Sequence, residues 1–436
     1  MMRDYIVPMS TLLSVTAPIA ALLVAACLAA TAVAEPAHPY GRDYLRAAAV
    51  AAGGVSPAAP PPDPAAARAA VEQLQARVEA LELRDGPYGA SLSEPLGDLA
   101  RQFERLGRAA QAQRLRERAL HLLRVNEGLY SPAQAALLRE MLAADRRRGD
   151  FEALDLRYGY FFRLYGSGRA PLSPSRLDAA LEYLDWQREA LLRGIAGDPT
   201  ERLLTLHEIN SSLLETALAE DALTWGQLRA TGISQLRNLY LIADELRTET
   251  TDTLQLYPTR QVPRVNNNLE DFDPQRERLQ AIGRAVRRRG LDLLEELLSR
   301  APGPRERAAL QRECGDWELW LGRSRGAMDW YRRSWETLRR GGDGALQERW
   351  YGVPQPLPAN GAFAVADAAG ALRLQATVRV DAGGRVDEVE VFERGGAPRE
   401  SRRLLRRLRD TRFRPALGAG GEPRAATLSQ VGFLVF

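Results

Sequence analysis

Leu372-Arg373-Leu374-Gln375-Ala376-Thr377-Val378-Arg379-Val380 alternates apolar and polar residues without a break. Successive side chains on a strand point to opposite faces, so this stretch predicts a strand with one buried face. Asp381-Ala382-Gly383-Gly384-Arg385 supplies a glycine-bearing hairpin turn, and Val386 to Glu393 returns as a second strand with Val389 and Val391 on one face. The period then changes. Ser401, Leu404, Leu405 and Leu408 fall at helical spacing, with Arg402, Arg403, Arg406 and Arg407 on the opposite face. Arg412-Phe413-Arg414-Pro415-Ala416 and a turn over Gly418–Pro423 lead into a last strand, with Val431, Phe433 and Val435 on one face. Strand, strand, helix, strand is an α+β order (ββαβ). A helix lying across one face of three strands buries both apolar stripes at once.

Upstream of this module the sequence reads as helix. Pro354, Pro356 and Pro358 mark a linker over 343–361, between the helical part and a module spanning 362–436. Leu321-Gly322 is followed by Ala327, Tyr331 and Ser334; Gly107 and Gly149, 42 residues apart, are followed by Ala112 and Ala153. Each glycine closes a first helix, and the small residue after it lets a second helix pack closely. Val71, Leu74, Val78 and Leu81 form one stripe, Leu177, Leu181 and Leu184 another, and Leu291, Leu294 and Leu298 a third. Helical repeats are expected over 65–256 and 274–342, with a Pro- and Asn-bearing loop over 257–273. The fold class expected is mainly α: a solenoid of helical hairpins followed by the small α+β module.

Two resemblances follow from these residues. The Gly-x4-Ala-x3-Tyr-x2-small pattern from Gly322 to Ser334 resembles tetratricopeptide repeats. The run Val378–Glu393 and the signature Arg412–Pro415 resemble the C-terminal domain of the TonB family, and the closing strand 430–436 is similar to that domain's end. The second resemblance implies pairing with an extended segment of an outer-membrane protein by strand addition. It makes Gly383, Gly384, Phe413 and Pro415 structural residues. The last strand, with Val431, Phe433 and Val435, and the helix arginines Arg402 and Arg406 are the candidate partner contacts.

The N-terminus has no charged residue between Asp4 and Glu35. Residues 11–34 predict a secretory signal over 1–34, cut after Ala34 in Ala32-Val33-Ala34, and residues 35–64 an Ala- and Pro-rich linker. Two other readings stay open. The run is long enough to anchor in a membrane, and Val24-Ala25-Ala26-Cys27 resembles a lipidation site. All three place the rest of the chain in the bacterial envelope: the periplasm, with an inner-membrane anchor as the variant.

Over 436 residues the net charge is only +3, which gives no general attraction to nucleic acid. His38, His121 and His207 lack the spacing of a metal or nucleophile motif, and no phosphate-cradling loop is present. The sequence therefore names no catalytic, metal-binding or cofactor-binding residue. The function expected is a non-enzymatic envelope adaptor that binds proteins through its repeats and its C-terminal module. A TonB-class energy transducer for transmembrane transport, anchored by residues 11–34, is the rival reading.

Overall fold

Backbone carbonyls at a helix end need donors, and the glycines in this chain supply the geometry that provides them. In the computed structural model, residues 46–48, 64–195, 197–219, 223–256, 273–364, 372–394 and 398–435 are described. A short strand, β1 (Arg46–Ala48), precedes the helices. They are α1 (Pro64–Asp85), α2 (Ser93–Arg105), α3 (Ala109–Glu127), α4 (Gln134–Arg148), α5 (Phe151–Leu164), α6 (Pro174–Arg193) and α7 (Pro199–Ala219). The array continues through α8 (Trp225–Leu256), α9 (Pro274–Arg284), α10 (Val286–Ser299), α11 (Pro304–Trp320), α12 (Ser324–Arg340) and α13 (Gly344–Tyr351).

Gly107, Gly149 and Gly322 all have φ near +70 to +80°. In each case the next residue's N–H donates to a carbonyl five residues back: Arg108 to Phe103, Asp150 to Asp145 and Arg323 to Glu318. This closes the helix by a left-handed turn that only glycine adopts without strain. Gly194 and Gly342 repeat the pattern. Small residues then let helices approach. A Cβ on Gly315 would lie 2.3 Å from the Tyr331 ring, and one on Gly290 would lie 2.4 Å from Trp317. Consecutive helices pack on one another along the array. The largest core contains Tyr240, Trp317, Tyr331 and Phe363, all fully buried. The aromatic run of α5 packs between helices, with Tyr158 stacked on Trp186 and Phe162 on Tyr183.

After the array come β2 (Gln355–Pro356), β3 (Leu372–Val380), β4 (Val386–Arg394), α14 (Pro398–Asp410), β5 (Phe413–Arg414), β6 (Ala416–Leu417), β7 (Pro423–Arg424) and β8 (Ala426–Val435). The main sheet is open and antiparallel, in the order β1-β8-β3-β4. Its inner face holds Ala376, Val378, Val380 and Leu428, covered by Leu408 of α14 and by Phe413. Two small two-stranded sheets, β2 with β5 and β6 with β7, sit beside it. The architecture is therefore a mainly α, multi-helix array followed by an α+β tail with an unclosed sheet.

Several expectations need correction. The membrane-anchored localisation, and the membrane and transmembrane-transport role built on it, are corrected to what the described residues show. No helix among the described residues is long and apolar enough to cross a membrane. The run at 11–34, with Ala34 and Cys27, lies outside the described residues, as does most of 35–64 and of the loop 257–273. The linker expected over 35–64 contributes β1. The linker expected over 343–361 holds α13 and β2, and buries Tyr351 and Leu357 in the array's core. Proline density suggests an unstructured stretch there, but Pro356 lies on β2 and the others flank short elements. The sheet has four strands where three were expected, because a distant segment joins it.

Candidate docking site

The Arg-Phe-Arg-Pro stretch fixes the sheet onto the array. Phe413 is fully buried, and its N–H donates to the Gly384 carbonyl at 2.9 Å. The β3–β4 turn and β5 are thereby tied together, bringing two of the four predicted structural residues into contact. Gly384 has φ +78°, and a Cβ there would lie 2.1 Å from the Phe413 carbonyl oxygen and 3.1 Å from Leu319 of α11. Gly383 precedes it in the turn, and Pro415 is buried beyond β5.

Arg414 reaches further. Its Nε donates to Asp316 Oδ1 at 2.8 Å, and its Nη2 to Asp316 Oδ2 at 2.5 Å. A third donor, Nη1, meets the Trp350 carbonyl at 3.2 Å, and Tyr331 Oη donates to Asp316 Oδ1 at 2.9 Å. Arg414 and Asp316 are 3% and 1% exposed, so this fork-to-fork pair is fully withdrawn from water. Burial by itself disfavours the charged guanidinium, but the charge and hydrogen bonds of Asp316 outweigh it and raise the pKa above the ordinary arginine value. Gly421, in the β6–β7 turn, seats against the Trp335 ring of α12. The sheet is thus held to α11 and α12 at three points: Gly384, Arg414 and Gly421. The sequence motif contains Arg414 without pointing to this role. An arginine between two buried apolar positions was the available signal.

With the module fixed, its two sheet edges face different surroundings. β4, at one edge, carries Asp387, Glu388, Glu390 and Glu393. It also pairs irregularly with β3 between Gln375 and Ala376, opposite the half-exposed Phe392. Charges and a bulge are the usual guards of a sheet edge. β8, next to the other edge, has ten residues and no charge or proline. The cover on it among the described residues is β1, paired as Arg46 with Leu434, Ala47 with Phe433 and Ala48 with Gly432.

The predicted partner contacts do not gather at one place. Arg402 and Arg406 are exposed on α14, which packs over β3 and β4. Val431 is half-buried and packs against the sheet core. The side chains of Phe433 and Val435 lie outside the described residues, although their backbone is placed in β8.

Other candidates in the array have structural partners. The arginine run at 146–148 makes ion pairs with Glu189, Glu104 and Asp145, and Arg287 pairs with Glu318. His207 is buried between Gln235 and Arg289. Among the described residues, no group of His, Cys, Asp and Glu is arranged to hold a metal ion.

Neither a known family model nor any curated protein matches the chain.

Proposed function

We propose that the chain is a protein-binding adaptor in which the helical array carries a small sheet whose open edge takes up an extended partner segment. The observation that carries this reading is the contrast between the edges. An uncharged ten-residue strand, β8, is covered over three residues, while β4 is guarded by acidic side chains. A strand edge offers a row of N–H and C=O groups, and a partner strand satisfies them with main-chain hydrogen bonds. The resemblance of residues 378–393 and 412–415 to TonB C-terminal domains supports strand addition. The tetratricopeptide-like turns at Gly107, Gly149 and Gly322 support a scaffold that presents the sheet to proteins.

A random peptide library displayed on phage and panned against the full chain tests this. Amide hydrogen exchange on the selected complexes then locates the contact. Slowed exchange along residues 426–434 is expected. Protection confined to helical faces, or failure to select any binder, would sink strand addition.

A further inference from the structure

The segment that covers β8 is poorly made for a permanent strand. It is three residues long, and two of them are alanine, a residue depleted in strands. The sequence around it, Leu45-Arg46-Ala47-Ala48-Ala49-Val50-Ala51-Ala52, is mostly alanine. On its other side β8 pairs with β3 at eight positions from Leu372 to Val380. One flank of β8 is therefore part of the module, and the other holds a short, weak visitor from more than 370 residues away in the chain.

An uncharged edge of this length invites pairing with any extended segment. Proteins that need such an edge closed for good use charges, proline or a bulge, as β4 does. β8 has none of the first two on its sequence, and its irregular pairing faces β3, between Ala376 and Val378. We propose that Arg46–Ala48 is an exchangeable self-ligand: it holds the Gly432–Leu434 edge until an extended antiparallel partner segment displaces it. The inference rests on the strand-addition reading above. The chain's own segment shows the direction and the register that the edge accepts.

Tethering sets the strength of this competition. A strand that belongs to the same chain competes intramolecularly, so a weak pairing still keeps the edge occupied. A partner must exceed that, or bind additional surface, to gain the edge.

The test uses the full chain and a fluorescent synthetic peptide spanning residues 41–52. Proline at both 47 and 48 (Ala47→Pro with Ala48→Pro) removes a ladder donor whichever of the two faces β8. The double variant should bind the peptide at least ~10-fold more tightly than the native chain, because the tethered competitor is gone. The same peptide with prolines at those two positions should bind neither chain. Equal affinity of the native peptide for both chains, or no binding to a variant whose circular dichroism matches the native chain, overturns the proposal.

A second measurement needs no variant. In the native chain, the outward amides of Gly432–Leu434 should exchange with solvent by local opening, much faster than the amides of β3. Exchange at the rate of global unfolding would make the cover permanent and overturn the proposal. A native chain that is dimeric where the double-proline variant is monomeric would place the strand in trans, which also overturns it. Peptide exchange without any library binder would leave the self-ligand standing and remove the partner. The reverse result would do the opposite.

Discussion

Among the described residues, the sheet meets the rest of the chain through two kinds of attachment, and they are opposites. At the joint, Arg414 on β5 inserts into α11 and pairs with Asp316 out of reach of water. At the cover, β1 lies along β8 through backbone pairing of three residues, two of them alanine. The joint uses charges whose separation would leave an unpaired buried ion, so it opens only at high cost. The cover uses backbone groups that water or another strand satisfies equally well, so it opens cheaply. A rigid joint beside a reversible cover is what the proposed strand addition requires: an edge that stays in place while its occupant changes.

The joint gives the largest expected effect. Arg414→Met leaves Asp316 buried without its counter-ion and should destabilise the chain by about 3–5 kcal/mol in urea unfolding. Asp316→Leu should cost a similar amount. The double variant should cost clearly less than the two single costs added together, because removing both charges removes the unpaired ion. Additive losses would mean that the pair is not the fastening element.

Alkaline pH attacks the same joint through its tyrosines. Burial pushes the Tyr351 hydroxyl up to about 12, and burial together with Asp316 raises that of Tyr331 well above its ordinary value. The folded state keeps these groups neutral while the unfolded chain ionises them from about pH 10 upward. Their contribution is therefore complete below about pH 10 and is lost as pH rises through the folded-state values. For Tyr351 alone the loss is about 2 kcal/mol at about pH 12 and approaches about 3 kcal/mol above it, since each pH unit separating the unfolded and folded titrations is worth ~1.4 kcal/mol. Tyr351→Phe should blunt the fall in thermal midpoint across that window. The cover contains no tyrosine, so its exchange should not follow this profile.

Gly384 comes next. Alanine there would need φ +78° and would press its Cβ onto the Phe413 carbonyl. Gly384→Ala should cost about 2 kcal/mol, by strain and overpacking together. It should also loosen the hairpin against Leu319, which near-ultraviolet circular dichroism would report through the neighbouring Trp317 and Trp320. An unchanged spectrum and midpoint would show that the turn is not part of the joint.

These features were unequally legible in the sequence. The β3 alternation, the leucine stripe of α14 and the turns at Gly107, Gly149 and Gly322 are local, and each reported its element directly. Arg414 and Asp316 lie 98 residues apart. Nothing in either neighbourhood distinguishes a buried pair from surface charges, particularly in a chain so rich in arginine. The runs at 146–148 and 287–289 show the same limit in part: Arg146, Arg147, Arg287 and Arg289 meet partners on other helices, whereas Arg148 and Arg288 pair with Asp145 and Asp292 on their own helix. The 343–361 stretch misled because proline density signals a linker, whereas here Tyr351 and Leu357 anchor it in the array's core. β1 gave no signal, since an alanine-rich segment has neither strand propensity nor alternation. Its place depends on β8 having an edge to fill.

The cover gives the smallest effect, and that smallness is its test. Removing ladder bonds at the end of a sheet exposes groups that water can serve, and a net intramolecular hydrogen bond contributes only ~0.5–1.5 kcal/mol. Alanine also adds little by packing in a strand. The prolines in the Ala47→Pro, Ala48→Pro variant stiffen the unfolded chain, which offsets part of the loss. The midpoint of urea unfolding should therefore correspond to a change under about 1 kcal/mol, with an unchanged dependence on urea concentration. The joint should be untouched, so the variant combined with Arg414→Met should lose the two single costs added together, within about 0.5 kcal/mol. A loss of several kcal/mol from the prolines alone, or strong coupling to Arg414, would make the cover a structural strand. The contrast between the two attachments would then collapse into one cooperative unit.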